Sequence, residues 1–239
     1  MDQVASRAQP DGWQRLRPST LVEKVIEEVI AAAARGVVLP GDRIVESEVA
    51  ARLGISRVPV REALRLLESQ GVVVSTPYKG IRLTPVTPER IDQLIEARIA
   101  LETAAAVRAI GGGRNGSAEV ASLQRFVDEL ELMAVRGDAY GFGAADAAFH
   151  RALCCIGGNQ VISDLWETLS RQLTIIFGLS TQHKRMDAII EEHRVLIQVF
   201  RSGDIPALRA EIEDHIRVQT RAVDFGTIIA RRRTERGGV

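Results

Sequence analysis

Four side chains in the C-terminal half could together hold a metal ion: Asp146, His150, His193 and His215. Asp146 and His150 are four apart, so on a helix both face the same way. Phe142, Phe149 and Leu153 share that face, which turns it inward. His193 is in phase with Ile189, Leu196, Ile197 and Phe200, and His215 follows Leu208 and Ile212 and adjoins Ile216. Three separate helices thus aim an imidazole at one interior, and one of them adds a carboxylate. A single inward histidine is more often a hydrogen-bonded core residue; three in phase beside an aspartate favour a shared divalent ion. The donor set suits zinc first, then nickel, manganese or iron. His183, the remaining histidine, falls near a helix break and serves as an internal control. Such a site could also activate water, as in a metal-dependent hydrolase or lyase, or fasten the helices as a purely structural ion. No further inward Glu or His stands out as a general base.

The second chemistry belongs to arginine. Arg57, Arg61 and Arg65 are spaced by four and project away from Val60, Ala63, Leu64 and Leu67. A helix presenting such a row from its N-terminal end suits the major groove of DNA, where guanidinium groups bond phosphates and guanine edges. Its bland alternative is an ordinary solvated helix face. The preceding segment repeats Val45, Val49 and Leu53 on one face, and a tight Gly54-Ile55-Ser56 turn joins the two. Ser56 is placed to cap the second helix, and Pro59 falls in its first turn. Two helices joined by a glycine-containing turn predict a helix-turn-helix.

The elements that position both sets follow in chain order. Residues 1–18 are a polar lead, and a helix is expected from about Ser19 to Arg35. After the paired helices, Val72–Val74 and Gly80–Leu83 read as two strands joined by Ser75–Lys79. Three helices and a β-hairpin make a winged helix-turn-helix over residues 19–84, with Lys79 and Gly80 at the wing tip. A linker at 85–88 leads to a capped start, Thr87 with Pro88. Helical periodicity then runs through six segments, approximately 88–110, 117–136, 138–156, 159–180, 185–202 and 205–225. The short breaks imply antiparallel neighbours in an all-α bundle over 89–226. The basic tail, 227–239, is expected to fray.

Composition narrows the partners. The 239-residue chain carries no net charge, so a DNA-binding surface must come from local clustering. An aromatic content of 4% argues against base-stacking platforms for single strands. Neither a membrane-spanning run nor a signal peptide is evident. Cys154 and Cys155 are adjacent and read as reduced residues, which points to the cytoplasm.

Leu39-Pro40-Gly41, Leu53-Gly54-Ile55-Ser56-Arg57, Pro59-Val60-Arg61-Glu62-Ala63-Leu64 and Gly71 resemble the DNA-binding domain of the GntR family of bacterial transcription regulators. The resemblance implies a double-stranded DNA operator as partner, met by Arg57, Arg61 and the wing residues Lys79 and Gly80; the arginine row adds Arg65, and Ser56 at the helix start is a further candidate contact. Val58 and Ser47 depart from the family's usual threonine and arginine, so the operator cannot be copied from a relative. Asp146-x-x-Phe149-His150, Gly158-Asn159, Glu192-His193-Arg194, Gly203-Asp204 and His215 resemble the FCD effector domain of FadR-type members. That resemblance implies a homodimeric repressor, a divalent metal on the Asp and three His, and a small carboxylate effector beside it. It makes Arg98 and Asn159 candidate effector contacts. Arg98 has a competing role as ion-pair partner of Glu102, and Asn159 as a helix cap.

Overall fold

The computed structural model describes residues 21–180, 186–221 and 223–237. The polar lead and His183 lie outside the described residues. Helix α1 (Leu21–Ala34) buries Val25, Ile26, Val29, Ile30 and Ala33, an apolar stripe recurring at helical spacing. Strand β1 (Arg43–Ile44) leads into α2 (Glu46–Leu53) and α3 (Arg57–Ser69). Gly54 turns the chain between them at φ 66°, and its N–H caps α2. This left-handed conformation is cheap for glycine, which has no Cβ. Helix α3 buries Val60, Ala63, Leu64 and Leu67 against α1 and α2. Strands β2 (Val73–Thr76) and β3 (Gly80–Leu83) form the wing.

The expected β2–β3 hairpin is present, and β1 joins it to make a three-stranded antiparallel sheet of order β1-β3-β2. Two residues of β1, too few to show a period, pair Arg43 with Arg82 and Ile44 with Ile81.

The linker ends where Thr87 caps α4 (Pro88–Gly111), accepting from the Arg90 N–H at 3.2 Å. Helices α5 (Ser117–Arg136), α6 (Ala139–Ile156), α7 (Gln160–Ser180), α8 (Met186–Ser202) and α9 (Ile205–Arg221) complete the expected bundle. Helix α6 packs on α4, α5 and α7, while α9 packs on α4 and α8. One core fills this bundle; a second fills the winged domain and takes in Ile175 and Leu179 from the far end of α7. The tail expected to fray is helical over 225–237. Asp224 accepts from the Thr227 N–H at 3.0 Å and starts α10 (Phe225–Gly237), with Phe225 and Ile228 buried.

Candidate functional site

The reading face comes from α3. Arg57, Arg61 and Arg65 are exposed along one side while the apolar stripe is buried on the other. Arg61 is parked on the first turn of α2, donating from Nε at 3.1 Å and from Nη2 at 3.0 Å to Glu46 Oε2. Arg65 pairs with Glu62 at 3.1 Å. Both pairs are half-exposed and so weakly held. Ser56 occupies the N-cap position of α3 but makes no capping hydrogen bond, contrary to expectation. Its backbone has the extended conformation usual for an N-cap, and its side chain is exposed. At the wing tip Lys79 is exposed beside Gly80. Tyr78, which sequence reasoning passed over, is fully exposed at φ 64°. A bulky residue with positive φ is uncommon and tends to mark turns and functional loops.

The second site is built where α4, α6, α7, α8 and α9 converge. His150, His193 and His215 are buried, and one ring nitrogen from each lies within 4.8 Å of the other two. Asp146, one turn before His150, adjoins the cluster with Oδ1 3.4 Å from His193 Nε2. Each ring is held from behind. His193 Nδ1 meets the Ile189 carbonyl at 2.8 Å, and His150 Nδ1 meets Glu102 Oε2 at 2.7 Å. These acceptors place the protons on Nδ1 and leave each Nε2 lone pair facing the centre. His215 Nε2 stands 3.1 Å from His150 Nε2, and Glu192 lies 3.8 Å from His215 Nδ1.

Burial pushes the His193 imidazolium down, and despite the nearby Asp146 its pKa falls to about 4. His193 Nε2 and Asp146 Oδ2 are buried with no hydrogen-bond partner. Three imidazole nitrogens this close together fit a divalent cation; Asp146, its Oδ2 buried and unsatisfied, stands beside the three and outside the set of mutually close ligand atoms.

Glu102 is the site residue that sequence reasoning missed in its larger role. It is fully buried and takes Arg98 Nε at 2.9 Å, Trp166 Nε1 at 3.1 Å and the His150 ring. Burial alone would raise its carboxyl, but Arg98 and His150 outweigh it and hold the pKa at about 2. An ionised carboxylate with three donors orients His150; it is no general base. Arg98 therefore does pair with Glu102, yet its Nη2 is buried without a partner. Asn159 caps α7, its Oδ1 accepting from the Val161 N–H at 3.1 Å.

Residues 93–218 match the FCD domain family, and residues 21–83 match the bacterial regulatory proteins of the gntR family. The chain belongs to the GntR family. This GntR regulator is 27% identical over 203 residues to the probable D-xylose utilization operon transcriptional repressor of Paenarthrobacter nicotinovorans, covering 85% of this chain and 88% of the relative. It is 24% identical over 210 residues to the gluconate operon transcriptional repressor of Bacillus licheniformis, covering 85% and 84% respectively. Its fold resembles E. coli McbR/YncC, at a TM-score of 0.72 and 20% identity over 84% of this chain and 95% of that one. A putative GntR regulator from Rhodococcus sp. RHA1 is similar, with a TM-score of 0.69 at 21% identity, covering 87% of this chain and 97% of that one. Among the described residues, no helix of this GntR regulator is long and apolar enough to cross a membrane.

Proposed function

We propose that this GntR regulator is a cytoplasmic, homodimeric repressor whose FCD domain binds a divalent metal and, beside it, a small carboxylate. Asp146, His150, His193 and His215 would hold the metal, with zinc the first expectation. The metal would supply a Lewis-acidic point for an anion, and two residues of the chain favour that anion. The Asp146 carboxylate would offset one charge of a divalent cation and the Arg98–Glu102 pair cancels, which leaves room for one more anionic group. Arg98 Nη2 is a spare buried donor on the same layer. The Ser56, Arg57, Arg61, Arg65, Lys79 and Gly80 surface would meet each half-site of a roughly palindromic operator.

The observation that carries the reading is the convergence of three histidine nitrogens within 4.8 Å at a buried point where Asp146 and His193 each leave an atom unsatisfied. A regulatory role fits better than turnover, because Glu102 is saturated by donors and the family is one of regulators. The test is metal stoichiometry per chain for Asp146→Ala, His150→Ala, His193→Ala and His215→Ala, with His183→Ala as control. Loss in the four and retention in the control is expected. Full metal content in His193→Ala and His215→Ala would overturn the assignment.

A further inference from the structure

The wing does not end at its hairpin. Arg43 and Arg82 are directly paired across β1 and β3, so they share the sheet face opposite the buried Ile44 and Leu83. Arg43 is exposed and reaches toward the wing tip: a Cβ built on Gly80 would stand 3.3 Å from its Nε. Arg82 donates to the Gly41 carbonyl at 2.9 Å, and Asp42 follows. There α10 arrives. Arg236 pairs with Asp42 at 2.6 Å, and Arg233 donates to the Pro40 carbonyl at 2.7 Å while lying 3.9 Å from the same Asp42. Arg232 donates to the Arg35 carbonyl at 3.2 Å.

These contacts join the wing tip to the C-terminal helix in one basic strip. Lys79, Arg43, Arg82, Arg233 and Arg236 are five cations, and Asp42 is the carboxylate set among them. The remaining acceptors are backbone carbonyls, which fix guanidinium groups in place without neutralising them. Arg233 and Arg236 stay half-exposed at 54% and 50% of their side-chain area. A clasp whose only task was to hold α10 would need the Asp42 and carbonyl contacts, but not the outward charge of Arg43. Guanidinium groups held at fixed positions on a strand and a helix suit the phosphates of a duplex.

We propose that the outer face of the wing sheet and helix α10 form a single phosphate-binding surface, Arg43–Arg82–Arg233–Arg236, that grips duplex DNA flanking the base pairs read by α3. It needs the DNA-binding role of the family but neither the metal nor the effector. The probe is a duplex selected by the full-length protein from a random-sequence library, prepared flush with its footprint and again with about ten extra base pairs on each side. The wild-type protein should bind the flanked duplex more tightly, with a steeper dependence on salt. Arg43→Ala/Arg233→Ala/Arg236→Ala should lose that gain and shallow the log–log salt slope by about 2–3, near 0.9 per phosphate contact. Its preference among core sequences should be unchanged. Arg43→Ala alone, at an exposed site, should lose about 1 in slope without affecting folding. Lysine at the three positions should keep most of the flank gain. An unchanged salt slope in Arg43→Ala, or equal losses in the lysine and alanine variants, would overturn the proposal.

Discussion

His193 shows how far a single residue can be read from sequence. Its helical phase with Ile189, Leu196, Ile197 and Phe200 predicted burial, and it is buried. The same phase in α6 and α9 brought His150 and His215 to the same point. The Arg98–Glu102 pair was legible from its i,i+4 spacing, but the contacts of Glu102 with His150 and Trp166, 48 and 64 residues away, were not, because no repeated residue type marked them as it marked the histidines. The available signal was a carboxylate in phase with Leu94, Ile95, Ala105, Ala106 and Ala109 of α4, all buried. Burial also sets a pH dependence. The folded protein keeps His193 neutral down to about pH 4, whereas an unfolded chain takes the proton near 6.5. Between those values the unfolded state binds more protons, so stability is full above about pH 6.5 and falls as pH drops toward 4. Metal-free protein should lose about 3 kcal/mol over that range. Glu102, ordinarily near 4.5 and here about 2, adds a further loss as pH falls through that lower window. Urea melts of chelator-treated protein should show the first decline, and His193→Gln should flatten it. A midpoint that stays constant from pH 7 to 4.5 would contradict this account.

At the scale of elements, the helices were legible wherever an apolar stripe recurred at helical spacing and a glycine ended it. Helix α10 was not: Phe225 and Ile228 bury its start, and four arginines follow. Asp224 with Thr227 was the capping signal that could have shown it. Asn159 falls on the side of structure, since its side-chain oxygen is taken by the first amides of α7. Asn159→Ala should cost about 1 kcal/mol in thermal stability and leave ligand affinity unchanged; a selective loss of carboxylate binding would instead make it a pocket residue. The packing of α7 has a sharper requirement. A Cβ on Gly178 would stand 2.6 Å from the Ala34 Cβ and 3.0 Å from the Ala34 carbonyl oxygen, while Gly143 of α6 approaches the Gly178 backbone from the other side. Neither neighbour is the end of a flexible side chain, so α1 and α7 must separate to admit a methyl. Gly178→Ala should therefore destabilise by about 1–3 kcal/mol, read as a lowered urea midpoint. A melt matching the wild type would mean the two domains are more loosely packed than this contact requires.

Helix α7 is the element through which the whole molecule can act as one. Its 21 residues span about 30 Å. Near its start Trp166 bonds Glu102, which holds His150; at its end Ile175 and Leu179 belong to the core of the winged domain. Between them Gln172 accepts from Arg90 Nη2 at 2.7 Å and donates to the Gln70 carbonyl at 2.7 Å. Gln70 is the C-cap of α3, so α7 grips the end of the reading helix directly. A ligand changes DNA affinity only through its differential affinity for two arrangements, and the effect is reciprocal. The quantity to measure is the ratio of DNA affinities with zinc and with chelator, typically a factor of 5–150 for coupled sites. Arg61→Ala should remove a base contact and weaken specific binding by about 1–3 kcal/mol, with the ratio preserved. Gln172→Ala should behave in the opposite way. It leaves the reading face and the histidines intact, so DNA and metal affinities measured separately should change little, but the ratio should fall toward one. A full ratio in folded Gln172→Ala would mean that the Gln172 hydrogen bonds do not carry the coupling, which would then run through the other α7 contacts, Arg171 with Gln70 and Gly178 with Ala34, or through α10.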